Sequence, residues 1–129
     1  MQTSEGRSWL IVGALSAALA VALGAFGAHG LKSILEANAR IDTFETASFY
    51  HLSHSIGIFL AGMLSEKYPK YMPVVGWLFW IGILFFSGSL YVLSITNTLW
   101  LGAVAPIGGT AFIGGWLYLA WAAWREKRD

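Results

Sequence analysis

The sequence contains no cysteine among its 129 residues, which excludes disulfides, thiolate zinc sites, iron–sulfur ligation and thiol redox chemistry. Charge is scarce as well. Only 12% of residues are Asp, Glu, Lys or Arg and 57% are apolar, against roughly 25% and 45–50% in a typical soluble domain, and this balance argues against a water-soluble globule. Eight basic residues against seven acidic ones leave a net charge of +1, too little to attract a nucleic-acid backbone. There is no Gly-rich phosphate loop, no serine in a nucleophile elbow and no pair of carboxylates at membrane depth. The acidic residue that a small multidrug-type antiporter needs in mid-span is missing too. The length fits a single domain, 1–129.

What is present is a set of long intervals between charges. An α-helix crossing a hydrocarbon core of roughly 30 Å needs about 20 residues free of exposed ionised groups. Ser8 to Leu31 runs 24 residues without Asp, Glu, Lys or Arg, Thr46 to Ser65 runs 20, and Tyr71 to Trp124 runs 54. The last interval is broken near its middle by Ser94-Ile95-Thr96-Asn97-Thr98, which predicts two antiparallel helices and a tight turn. The expected fold is all-α: an integral membrane bundle of four transmembrane helices, with spans at about 8–29, 43–64, 72–94 and 99–122. A short amphipathic helix is expected at the interface from Leu31 to Arg40, between spans one and two. Trp9 to Ala28, at 20 residues, exceeds the roughly 7–15 of a signal-peptide core and reads as a span.

Asp42 with Glu45 three residues on has the pattern of a capping box, which places the start of the second span near Thr43. Pro73 suits the first turn of the third. Arg7, Lys67, Lys70, Arg125, Lys127 and Arg128 fall on one side of a four-span topology and only Lys32 and Arg40 on the other. The excess predicts both termini in the cytoplasm. Trp9, Tyr68, Tyr71, Trp121 and Trp124 would then form an inner aromatic belt, with Trp100 at the outer face.

On the first span Gly13, Ala17, Ala20, Gly24 and Gly27 recur at helical spacing, with Ala14, Ala18, Ala22 and Ala25 beside them. Small residues let helix backbones approach closely in lipid, so both stripes read as packing surfaces. The second span divides into an apolar face (Phe49, Leu52, Ile56, Phe59, Leu60 and Met63) and a face carrying Ala47, Tyr50, His51, His54, Gly57 and Ala61. A polar face inside a bilayer turns toward protein or trapped water. Helix rise puts His51 and His54 roughly 12–17 Å from the start of their span, in the outer half of the bundle, with Ser87, Ser89 and Tyr91 of the third span at similar depth and His29 near the outer surface. Pro106, Gly108 and Gly109 predict a break inside the fourth span.

His51 and His54, at i and i+3, have the spacing of a metal clamp, and His29 could supply a third nitrogen. The competing expectation is a pair of neutral imidazoles hydrogen-bonded to Tyr50, Ser55 or a neighbouring helix. Proton handling and small-solute permeation are further uses of the same residues. Nothing in the sequence requires a cofactor; metal or haem on the histidines is the alternative.

Gly24-Ala25-Phe26-Gly27-Ala28-His29-Gly30-Leu31, then Phe44-Glu45-Thr46-Ala47 with Tyr50-His51 and His54, resemble the first half of the YgdD-like family of small membrane proteins of unknown function. Phe86-Ser87-Gly88-Ser89-Leu90-Tyr91, Leu101-Gly102, Pro106-Ile107-Gly108-Gly109 and Gly114-Gly115-Trp116 resemble its second half. Ala105 departs from the pattern, where a threonine is expected. The resemblance implies a four-span bacterial inner-membrane protein with no catalytic residue to carry over. The reading is a non-enzymatic structural, assembly or stress-related membrane component, in contact with lipid and with copies of itself or other membrane proteins.

Overall fold

A computed structural model describes residues 2–126, so Lys127 and Arg128 of the basic side lie outside the described residues. Every regular element described is helical: α1 (Ser4–Ala28), α2 (Lys32–Ala37), α3 (Ile41–Leu64), α4 (Met72–Gly82), a π-helical turn (Ile83–Gly88), α5 (Ser89–Thr96), a 3-10 segment (Leu99–Ala103) and α6 (Ala105–Glu126). α4, the π turn and α5 run on as one helix, Met72–Thr96, which follows the long helices α1 and α3 as the third helix of the bundle, and the 3-10 segment leads into α6.

α3 is the hub. α1 packs antiparallel along it, and α4, the π turn and α5 pack on its other flank and carry α6. The α1–α3 contact depends on missing side chains: a Cβ on Gly13 would lie 2.6 Å from the Phe59 backbone nitrogen, and one on Gly62 would lie 2.8 Å from that of Leu10. Gly13, Ala20 and Gly27 are buried there, so the first small-residue stripe packs as expected. The second does not: Ala14, Ala18, Ala22 and Ala25 are exposed, on the far side of α1 from α3.

Three helices are long and apolar enough to cross a membrane: Ser4–Ala28, Met72–Thr96 and Leu99–Glu126. The expectation of four such spans is corrected to three. α3 has 24 residues, but spacing between charges ignores uncharged polarity, and Tyr50, His51, Ser53, His54 and Ser55 dilute its apolar content. The division into faces is as expected except at Tyr50: Phe49, Leu52, Ile56, Phe59, Leu60 and Met63 are exposed and Ala47, His51, His54, Gly57 and Ala61 are buried, while Tyr50, expected on the inner face, is exposed as well.

Helix boundaries bring further corrections. Ala39 adopts a left-handed φ of 55°, and the N–H groups of Ala39 and Arg40 bond back to Glu36 and Leu35. α2 is closed so tightly that α3 resumes at Ile41, with no side-chain cap. Asp42 therefore sits inside the first turn, and neither it nor Glu45 forms the expected capping box. The earlier start also lengthens the path to the histidines: at about 1.5 Å per residue, His51 and His54 lie about 15 and 20 Å along a helix of about 36 Å, on either side of its midpoint. Pro73 does occupy the first turn of α4.

The break in the last span comes one turn before the position expected from Pro106, Gly108 and Gly109. Proline lacks an N–H and its ring clashes with the carbonyl four residues back, here Gly102, so α-helix cannot run through it. The chain instead makes its 3-10 turn up to Ala103, and Pro106 stands in the first turn of α6. Gly108 lets α6 approach the third helix, since a Cβ there would lie 2.7 Å from the Gly82 carbonyl oxygen. Trp9 and Tyr71, expected in the inner aromatic belt, are buried in the core. Asn97, at φ 57°, ends the third helix in the left-handed region, and Asn38 of α2 donates to the Ser94 and Ile95 carbonyls at 3.0 Å.

Candidate functional site

Buried polar side chains on the inward face of α3 fall into two clusters, one toward α1 and the third helix, the other toward α6. His51 and His54, 3% and 6% exposed, are their centres. The periodicity of α3 forces the division: three residues of helix turn through about 300°, so the two rings leave the same broad face in directions about 60° apart.

In the first cluster His51 Nε2 meets Ser16 Oγ of α1 at 3.2 Å, and His51 Nδ1 meets Tyr91 Oη of α5 at 2.9 Å. Ser16 Oγ also lies 2.6 Å from Ser55 Oγ, whose own hydrogen goes to the His51 carbonyl at 2.6 Å. With the His51 ring neutral, counting hydrogens gives each direction in this set. Ser55 has spent its hydrogen on a carbonyl, so Ser16 donates to Ser55. Ser16 then accepts from His51 Nε2–H, which leaves Nδ1 bare to accept from Tyr91. Ser48 Oγ, 3.5 Å from Tyr91 Oη, is left as the donor to it. His51 is held as the Nε2–H tautomer.

The second cluster has the opposite polarity. Trp116 of α6 donates Nε1–H to His54 Nε2 at 3.0 Å. His54 Nδ1 faces the Tyr50 carbonyl at 2.9 Å and Ser53 Oγ at 3.2 Å. A carbonyl only accepts, so His54 carries its proton on Nδ1. Its ring stacks on Phe112 at 3.6 Å between centroids and meets Phe79 edge-on at 5.3 Å. The Tyr50 ring is stacked at 6.0 Å. Among the described residues no buried side-chain nitrogen or oxygen lacks a hydrogen-bond partner.

Of the expected set, the structure pairs His51 with Tyr91 and His54 with Tyr50, in separate clusters. Ser87 is close by but serves another contact, donating to the Ala47 carbonyl at 2.8 Å and tying the π turn to α3. His29 is not brought in. It caps α1 in an exposed position, about 20 Å along the helix from Ser16, and among the described residues no three His, Cys, Asp or Glu side chains converge as metal ligands. Ser16, Ser48, Phe112 and Trp116 were not anticipated as parts of the site. Ser16 carried a signal, being the only polar side chain from Trp9 to Ala28. Trp116 carried another, a tryptophan deep in its span and not at an interface.

A family model described as Protein of unknown function (DUF423) matches residues 23–109. The UPF0382 membrane protein YwdK of Bacillus subtilis is 44% identical over 119 residues, covering 91% of this chain and 96% of that protein. A UPF0382 membrane protein of Staphylococcus saprophyticus is 46% identical over 113 residues, 88% of this chain and 93% of its own. A third, from Haemophilus influenzae, is 40% identical over 124 residues, 94% and 97% of the two chains. These matches support the UPF0382 grouping and not the narrower YgdD-like name. No solved structure matches the chain.

Proposed function

This chain belongs to the DUF423 family of UPF0382 membrane proteins of unknown function, and we propose that it is a non-enzymatic component of the bacterial inner membrane that acts through helix–helix contacts. The observation that carries this reading is that all four ring nitrogens of His51 and His54 are engaged by groups inside the bundle. A ring nitrogen ligates a metal through its lone pair. That of His54 Nε2 is taken by Trp116 and that of His51 Nδ1 by Tyr91. The histidines act as staples: they join α1, α5 and α6 to α3 by polar bonds, in a medium where the hydrophobic effect does not drive helix association.

In this reading α3 is a fourth span. It is supported by a length matching that of α1, by packing alongside α1 over that length, and by an apolar outer face with its polar groups turned inward. The excess of basic residues on the side of Arg7, Lys67, Lys70 and Arg125 favours cytoplasmic termini. The exposed stripe Ala14, Ala18, Ala22 and Ala25 is the surface we assign to association with a second copy or another membrane helix.

Elemental analysis and absorption spectroscopy of protein purified from its native membrane test the role of the histidines. We expect no stoichiometric metal or chromophore, together with lowered thermal stability of His51→Ala and His54→Ala. A stoichiometric metal lost in His54→Ala overturns the staple reading. Cross-linking in cells tests the association: adducts through a cysteine at Ala18 are expected, and a strictly monomeric protein in several lipid environments contradicts it.

A further inference from the structure

α1 and the third helix meet around Trp9, whose ring packs on Gly76 and meets Trp77 edge-on at 5.4 Å. Farther along, they flank a lateral groove of about 400 Å³, within the usual range for small-molecule sites. Its walls include Leu15, Leu19 and Leu84, all exposed, and Ser16, His51 and Tyr91 form its less exposed base. With α3 as a span, a reading on which this inference rests, the groove opens to lipid near the middle of the bilayer.

The base has a definite hydrogen-bonding character. The hydrogens of Ser16, His51 Nε2, Ser55 and Tyr91 are each committed to a partner within the cluster. Ser16 Oγ accepts one bond and Tyr91 Oη one long one, so each retains acceptor capacity. The base therefore offers acceptors and no free donor. A carbonyl head would find nothing to bond, a charged head would be desolvated without a counter-ion, and a purely apolar chain would leave the acceptors unused. A hydroxyl on a long chain matches both walls and base.

We propose that this groove binds an uncharged long-chain alcohol of the membrane, its chain along Leu15, Leu19 and Leu84 and its hydroxyl donating to Ser16 Oγ or Tyr91 Oη. The π turn contributes to the space. Gly88 lines the groove, and a Cβ there would meet only the Ile83 carbonyl oxygen, at 3.8 Å, so a larger side chain at this position projects into the groove without displacing backbone.

The test uses the full chain in phosphatidylcholine nanodiscs, with hexadecanol carrying a diazirine and an alkyne on its chain as the photoprobe and mass spectrometry to map adducts. Adducts on Leu15, Leu19 or Leu84 are expected, suppressed by unlabelled hexadecanol about fivefold more effectively than by its methyl ether, as befits one hydrogen bond. Gly88→Leu and Leu19→Trp should each remove these adducts while leaving those on Phe49 and Met63 of the lipid-facing side of α3. Equal competition by alcohol and ether, or adducts spread evenly over all helices, overturns the proposal. Loss of the Phe49 and Met63 adducts alone would count against α3 as a span and leave the groove result standing.

Discussion

His51 and His54, three residues apart on one helix, carry their protons on opposite nitrogens: His51 donates from Nε2 to Ser16, while His54 accepts at Nε2 from Trp116. Each tautomer is imposed by a partner with only one way to bond, a serine whose hydrogen is spent in one case and an indole N–H in the other. The two rings thus bind different neighbours into the same bundle.

Trp116→Phe keeps the aromatic packing beside Phe79, 4.7 Å away between centroids, and removes the donor to His54. A buried acceptor left alone costs about 1–2 kcal/mol. We expect a corresponding loss of thermal stability in detergent, and His54→Leu combined with Trp116→Phe should recover part of it. Additive losses in the double variant would mean that the two side chains are not coupled.

Ser87→Ala deletes the bond from the π turn to the Ala47 carbonyl and should cost about 0.6–1.7 kcal/mol, the range for hydrogen bonds between membrane helices. Ser53→Ala is the control, because Ser53 bonds within α3, to the Tyr50 carbonyl and the His54 ring. Unfolding in mixed micelles should separate the two, with the larger loss at Ser87.

Gly13→Val and Ala14→Val differ by one position and should behave oppositely. The first drives a side chain into the backbone of Phe59 and should destabilise the fold by about 1–3 kcal/mol or more. The second adds carbon to an exposed face of α1 and should leave the monomer intact. Circular dichroism melts of the two variants side by side check the expectation.

The helical content and the faces of α1 and α3 were legible in the sequence because small residues and apolar residues recur there at helical spacing. The inward turn of His51 and His54 followed from the same periodicity. Their partners did not, since Ser16 and Trp116 lie 35 and 62 positions from the histidines they bond and no local pattern encodes that pairing. The π turn at Ile83–Gly88 was equally invisible. The start of α3 was misread because Asp42 and Glu45 have the spacing of a capping box, whereas backbone bonds closing α2 set the boundary. Counting charges overstated the number of apolar spans, because it could not weigh uncharged polar residues hidden on an inner face.

The absence of native cysteine makes topology directly accessible. In intact cells a membrane-impermeant thiol reagent should modify Asp42→Cys and reach Pro69→Cys only after permeabilisation. Labelling of both from one side would mean that α3 does not cross, and the reverse pattern would place the termini outside.

The most direct measurement is ¹⁵N NMR of histidine-labelled protein in lipid bilayers at neutral pH, with one-bond and two-bond couplings assigning the proton of each ring. The staple account predicts two neutral, opposite tautomers, Nε2–H for His51 and Nδ1–H for His54, with the His54 pattern disturbed by Trp116→Phe and the His51 pattern by Ser16→Ala. An imidazolium at either position, identical tautomers, or a ring nitrogen shifted by a bound metal would contradict it.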